Sequence, residues 1–189
     1  MDFDVKQAII DRLRETKREN IEVVIEYMEK NGFFTGSCHR HHHYEGGLAD
    51  HAWQTYMAAL ELDLGDRLDV QGILPWIGDN IAIATLLHDI CNCSGMPHIK
   101  GHGRRSAGIL KELGFKLTTE EFFAIRFHMG LHNKTTHPLY EQALNSRLWH
   151  LVHKADGKSA KQGEGWNSDG DMSVFERLCN LFGSSEGEK

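Results

Sequence analysis

Apolar residues recur at helical spacing along most of the chain, and no stretch alternates in the way a half-buried strand does. Residues 4–30 predict helix with two apolar faces, Val5, Ile9, Ile10 and Leu13 on one and Ile21, Val24, Ile25 and Met28 on the other. "NGFFTGS" breaks that pattern with glycines. "GGLADHAWQTYMAALELDL" reads as an amphipathic helix, with Leu48, Ala52, Tyr56, Ala59 and Leu60 on one face. "NIAIATLLHDICN" is apolar nearly all round, the mark of a buried central helix. Its apolar run also suits a buried strand, but its length and alanines favour helix. "GHGRRSAGILKELG" predicts a helix with a glycine stop. "LTTEEFFAIRFHMG" opens on a capping signature, Thr118 with Glu121 three residues on. "YEQALNSRLWHLVHKADGKSA" predicts one long helix. "KQGEGWNSDGDMS" reads as a loop with Trp166 as its packed anchor, "SVFERLCNLF" as a short helix and "GSSEGEK" as a frayed tail. The fold class expected is all-α.

Composition narrows the picture. The 189 residues suit one domain, at 40% hydrophobic and 25% charged. A net charge of -6 argues against a surface built for nucleic acid or anionic lipid. No segment reaches the roughly 20 apolar residues that cross a bilayer. The start, "MDFDVKQAII", lacks the basic-then-apolar order of a signal peptide, so a cytoplasmic protein is expected. Cys38, Cys91, Cys93 and Cys179 form no C-x-x-C pair, which leaves free thiols as the expectation. Thirteen histidines against three prolines is the oddity.

Five of those histidines fall in "CHRHHHYEGGLADH", residues 38–51, an internal run that leads into an apolar helix and so is not a tag. The second signal is His88-Asp89 in "LLHDI". Burying an imidazole beside a carboxylate is costly unless both are satisfied. A metal ion accepts a lone pair from each, and a hydrogen-bonded His-Asp pair is the alternative. His51, His102, His128 and Asp156 lie in four further helical segments. Helical folds build metal centres by converging such side chains.

The order His51, His88-Asp89, Asp156 resembles the H…HD…D signature of the HD-domain superfamily of metal-dependent phosphohydrolases. "HHHYEGGLADHA" is similar to the segment before the first ligand in HD domains of bacterial 3′–5′ exoribonucleases and their relatives. "GHGRRSAGIL" and "AIRFHMG" resemble the histidine segments of a second metal site, and "KADGKSA" the segment with the final aspartate. The resemblance implies a single helical HD-domain bundle over residues 1–189. Residues 1–36 would be N-terminal helices, 37–160 the metal-site core and 161–189 loop, short helix and tail. It implies that His51, His88, Asp89 and Asp156 hold a first metal. His102 and His128 would hold a second, with Asp89 bridging as the catalytic carboxylate. One or two divalent ions per chain are expected, and a histidine-rich shell favours Fe, Mn, Co, Ni or Zn over Mg alone. The implied activity is cleavage of a phosphoester, in a nucleotide or another small phosphorylated molecule, by a metal-activated hydroxide.

One departure bears on activity. Many relatives read H-D-I-G-K, whereas this chain reads His88-Asp89-Ile90-Cys91-Asn92. Asn92 donates a hydrogen bond but carries no charge to a phosphate. Arg104, Arg105, Arg126, Lys154 and Lys158 are candidate substitutes, with Arg105 and Lys158 preferred because they flank the expected ligands. The substrate-binding set expected is thus His43, Asn92, Arg105 and Lys158. His39, His41 and His42 are expected as loop residues without a fixed metal, and His132 as a stand-in for His128. His98, His137, His150 and His153 are expected to be structural or exposed, and Cys91 a small buried apolar residue. The partner expected is a small-molecule phosphoester, not a membrane. A metal- and nucleotide-binding module without strong turnover is one alternative. A 3′–5′ nuclease is another, disfavoured by the acidic charge and the lack of an attached nucleic-acid module.

Overall fold

In the computed structural model, which describes residues 3–38, 41–67, 75–94, 101–130 and 138–162, the first helical stretch divides in two. Helix α1 spans Val5–Glu15 and α2 spans Ile21–Lys30. Asp4 caps α1 by accepting from the Gln7 amide at 3.0 Å. Between the helices Lys17 and Asn20 take positive φ, 52° and 63°, which reverses the chain. This break explains the two apolar faces read in residues 4–30: each belongs to its own helix.

Helix α3 is Gly47–Arg67, and its first half is buried almost all round, Trp53 and Thr55 included. Helix α4, Pro75–Leu86, is the central element, packed against α1, α3 and the two helices that carry His128 and Asp156. Ile81 to Leu87 are wholly buried. Contrary to the sequence expectation, the helix does not run on through "LLHDICN". It stops at Leu86, His88 and Asp89 form a turn, and Ile90–Ser94 winds as a 3₁₀ turn. Helix α5, His102–Glu112, ends in the expected glycine stop: Gly114 has φ 72°, and Phe115 donates back to the Leu110 carbonyl at 2.9 Å. Helix α6, Thr119–Phe127, has the expected capping box, with Thr118 Oγ1 and the Glu121 side chain exchanging backbone donors.

The long helix expected over residues 140–160 is instead two, α7 at Pro138–Ala143 and α8 at Arg147–Gln162. Ser146 ends the first and caps the second, its Oγ accepting from the Trp149 amide at 3.3 Å. Helix α8 also takes in Lys161 and Gln162, read from sequence as the start of a loop. Among the described residues there is no strand, and no helix is long and apolar enough to cross a membrane. One core joins α1 to α6 with α8, and a smaller cluster of Phe123, Phe127, Ala143 and Trp149 seats α7. The helix and loop expected beyond residue 162, with Trp166, lie outside the described residues.

A buried ion pair ties the α1–α2 turn to the start of α6. Arg18 reaches both carboxylate oxygens of Glu121, at 2.7 and 3.0 Å, and also the Lys116 carbonyl at 2.7 Å. Glu121 is fully buried and is also the capping-box acid. Removing its counter-charge leaves an uncompensated buried carboxylate. Arg18→Met is therefore expected to destabilise the protein by about 3 kcal/mol, read from urea unfolding. The double variant with Glu121→Gln should lose less than the sum of the two single changes.

Candidate metal centre

Four helices and one turn deliver the site. Helix α3 carries His51, the turn after α4 carries His88 and Asp89, α5 begins with His102, α6 ends at His128, and α8 carries Asp156. Two glycines permit the approach. At Gly103 a Cβ would lie 2.5 Å from the Ile125 carbonyl oxygen, so the first turn of α5 rests directly on the last turn of α6. That contact sets His102 Nε2 2.9 Å from His128 Nε2. At Gly47 a Cβ would lie 2.0 Å from the His42 carbonyl oxygen, so the preceding loop folds onto the start of α3. The His41 and His42 rings thereby come to 4.5 and 5.4 Å from that of His51.

The imidazoles are oriented from behind. His88 Nδ1 meets the Thr85 carbonyl at 2.7 Å and His128 Nδ1 the Ile125 carbonyl at 2.8 Å. Carbonyls only accept, so both Nδ1 atoms carry the proton. The Ser159 hydroxyl lies 2.9 Å from His51 Nδ1 and 3.3 Å from the His51 carbonyl oxygen. In neutral His88 and His128 rings, Nε2 is then a bare lone pair facing inward, as in metal-binding histidines. His51 Nε2 lies 3.2 Å from both His88 Nε2 and Asp156 Oδ1. Asp89 lies between the two histidine pairs. Its Oδ2 is 3.7 Å from His88 Nε2, and its Oδ1 is 3.6 and 3.5 Å from His102 and His128 Nε2.

Burial dominates the proton affinities. It pushes His128 down to about 4, with the charge of His88 adding to the effect. For Asp89 burial acts to raise the carboxyl, but His88, His128, His102 and His51 together outweigh it and hold the group below its usual range. Asp156 is likewise held low despite its burial, by the hydrogen bond to His51 and the nearby His88 and His128. Cys91 is pushed up to about 11 by burial, so it is a thiol at neutral pH.

The donor set fits a divalent ion. Asp89 Oδ1 is buried and has no hydrogen-bond partner among the described residues, an expensive state for a carboxylate oxygen. Metal–nitrogen bonds of roughly 2.1 Å place neighbouring ligand atoms roughly 3 to 3.5 Å apart at octahedral or tetrahedral angles. The observed separations run from 2.9 Å between His102 and His128 to 3.8 Å between His88 and Asp156. Three of the overlapping donor groups are His51, His88 and Asp89; His88, His128 and Asp156; and Asp89, His102 and His128. All six residues expected from the sequence as ligands thus converge, and these clusters could hold a metal ion.

The expected substrate contacts scatter. His43 is exposed, while its neighbours His41 and His42, expected as plain loop residues, turn inward beside His51. Asn92 is half-buried and its amide donates to the Asp89 carbonyl at 2.9 Å. Arg105 is half-buried on a cavity beside α5. Lys158 forms an exposed ion pair with Glu61. His150 and His153 are exposed, and His39, His98, His132 and His137 lie outside the described residues. Sequence reasoning missed Ser159, although it lies three residues from Asp156 and so shares its helix face. It also missed Trp149, which donates to the Phe127 carbonyl and stacks on His153; His153, expected to be structural or exposed, donates to the His128 carbonyl and helps hold the end of α6.

Ser159→Ala removes the hydroxyl that orients His51. It should lower the affinity for the first ion roughly 10–100-fold, measured by competition with a chromophoric chelator. Acidity supplies a second test. His128 takes its proton at about 4 in the fold, against an ordinary value of 6.5. Between those limits the unfolded chain binds a proton that the native protein does not. Stability of the metal-free protein is therefore expected to fall as pH drops from 6.5 towards 4, and a urea midpoint that stays level or rises from pH 7 to pH 5 would contradict this. No family model matches the chain, and neither the curated proteins nor the solved structures include a significant match to it.

Proposed function

We propose that the protein is a metal-dependent phosphohydrolase of the HD type, acting on a nucleotide or another small phosphoester. The observation that carries this reading is Asp89, whose two oxygens face different histidine groups while Oδ1 is buried without a hydrogen-bond partner. A carboxylate shared between His51, His88 and Asp156 on one side and His102 and His128 on the other suits two adjacent ions. When bound, such ions supply Lewis acidity at phosphoryl oxygens and a nucleophile at neutral pH.

The chain's own residues do the rest. Asp89 and Asp156 supply negative charge in a dry site, where electrostatic interactions are strong. The Thr85 and Ile125 carbonyls fix the tautomers of His88 and His128, and Ser159 holds the His51 ring in place. Arg105 is the cation that stands in for the lysine replaced by Asn92. Lys158 is the weaker candidate, because Glu61 already neutralises it. Asn92 favours a second reading, a module that holds metal and nucleotide with little turnover.

The two readings separate in one assay. Protein reconstituted with Mn or Fe is expected to hydrolyse at least one member of a panel of p-nitrophenyl and nucleotide phosphoesters. Asp89→Asn should cut that rate by at least about 100-fold, the scale of losing several kcal/mol of charge stabilisation. Retained metal and nucleotide binding with no turnover across the panel would replace the hydrolase reading with the binding-module one.

A further inference from the structure

His51, His88, Asp89, His102, His128 and Asp156 are all buried. Two further imidazoles stand at the edge of this group. His41 is half-buried and His42 is buried, and their rings lie 4.5 and 5.4 Å from that of His51. Neighbouring residues in extended chain send their side chains to opposite sides. Here His42 has φ 53°, a left-handed conformation that residues other than glycine rarely adopt, and the two neighbours converge instead. Their Nδ1 atoms are 3.0 Å apart. Backbone strain of this kind persists only where the surroundings impose it, and it gathers at functional sites.

The nitrogens are arranged as ligands. His42 Nε2 lies 3.0 Å from the Gln54 amide oxygen, which only accepts, so Nε2 carries the proton and Nδ1 is the bare nitrogen. Metal-binding histidines are held in this way, with a carbonyl on the far nitrogen. The 3.0 Å between the two Nδ1 atoms suits neighbouring ligands of one ion, with bonds of roughly 2.1 Å. The ligating nitrogens of His41, His42 and His51 all lie within 4.8 Å of one another. A proton shared by His41 and His42 accounts for that pair, but not for a third imidazole set against both. The trio contains no carboxylate, a donor set that suits Zn, Cu, Ni or Fe rather than Mg.

His51 decides what such a trio can do. Its Nδ1 is engaged by the Ser159 hydroxyl at 2.9 Å, which leaves Nε2 as its one donor. That atom also faces His88 and Asp156, each at 3.2 Å. One lone pair serves one ion, so the outer trio and the inner group cannot both hold an ion through His51. The outer position is reached from solvent at His41, and the inner one is enclosed.

We infer that His41, His42 and His51 form an outer seat through which a divalent ion enters and leaves the buried centre, with His51 as the ligand common to both positions. The seat rests on the donor cluster and not on the reaction carried out there.

The test uses the full chain stripped of metal by chelation. Stopped flow follows Zn²⁺ uptake from a weak chromophoric chelator and Zn²⁺ release to excess EDTA, and equilibrium competition gives the affinity. His41→Asn is expected to slow uptake and release by the same factor, about tenfold, the lower end of what a metal site loses with one supporting group. The affinity of the loaded centre should stay at the wild-type value. His42→Asn should do the same, and asparagine tolerates the positive φ there. His150→Asn, at an exposed histidine of α8, should change neither rate. An entry seat moves both rates and no equilibrium, whereas a ligand of the loaded centre or a purely structural support moves the affinity. Wild-type rates in both variants would overturn the inference, and so would a loss of affinity that matches the change in rate. A wild-type chain that binds no Zn²⁺ would remove the metal centre along with the seat. Bound Zn²⁺ with the expected rate changes but no turnover of phosphoesters would support the seat and count against the hydrolase reading alone.

Discussion

The rest of this structure is arranged around an electrostatic conflict. The His88 and His128 imidazoles are locked by their Nδ1 hydrogens so that bare Nε2 lone pairs point into one buried space. His51 and His88 face each other at 3.2 Å, and His102 and His128 at 2.9 Å. Two bare lone pairs at such distances would repel, and a proton or a cation between them resolves the repulsion. A proton is a poor solution at His128, which burial holds near 4. The adjoining Asp89 and Asp156 carboxylates make a cation the better one. A hydrogen-bonded His-Asp pair does not account for the cluster, because Asp89 Oδ1 has no hydrogen-bond partner among the described residues.

The scaffold keeps that conflict in place by fixing helix ends rather than helix middles. His88 and Asp89 follow the end of α4, His102 starts α5, and His128 closes α6. Chain ends of this kind hold their position only if their own backbone groups are satisfied. The capping box of α6, its ion pair to Arg18, and the Trp149 and His153 donors at its far end meet this need at both ends of the helix. Helix α8 is the common support. It supplies Asp156 to the cluster, Ser159 to His51, and the aromatic pair to the α6 terminus. The two halves of the cluster are therefore mechanically linked through one rigid element.

Charge is distributed asymmetrically around this centre. Carboxylates are concentrated at its heart, while Arg104, Arg105 and Arg126 lie on α5 and α6 and Lys158 on α8 pairs with Glu61. A protein with a net charge of -6 thus carries a local basic edge next to its donor cluster.

The sequence by itself determined the local structure and the inventory of donors. Periodicity placed the all-α class, the Thr118–Glu121 box and the Gly114 stop, because these depend on residues within one turn of each other. The ordered set His51, His88-Asp89, His102, His128 and Asp156 was legible for the same reason, as short motifs in separate segments. Helix continuity was less so: the breaks at Lys17 to Asn20 and at Ser146 depend on chain reversals that packing decides. Only the tertiary structure decided which atoms meet. It turned His41 and His42 inward and left His43 outside, since Gly47 lets the loop lie against α3. It also set Ser159 behind His51 and gave Lys158 to Glu61. Those outcomes depend on contacts between residues about a hundred positions apart, which no local pattern encodes.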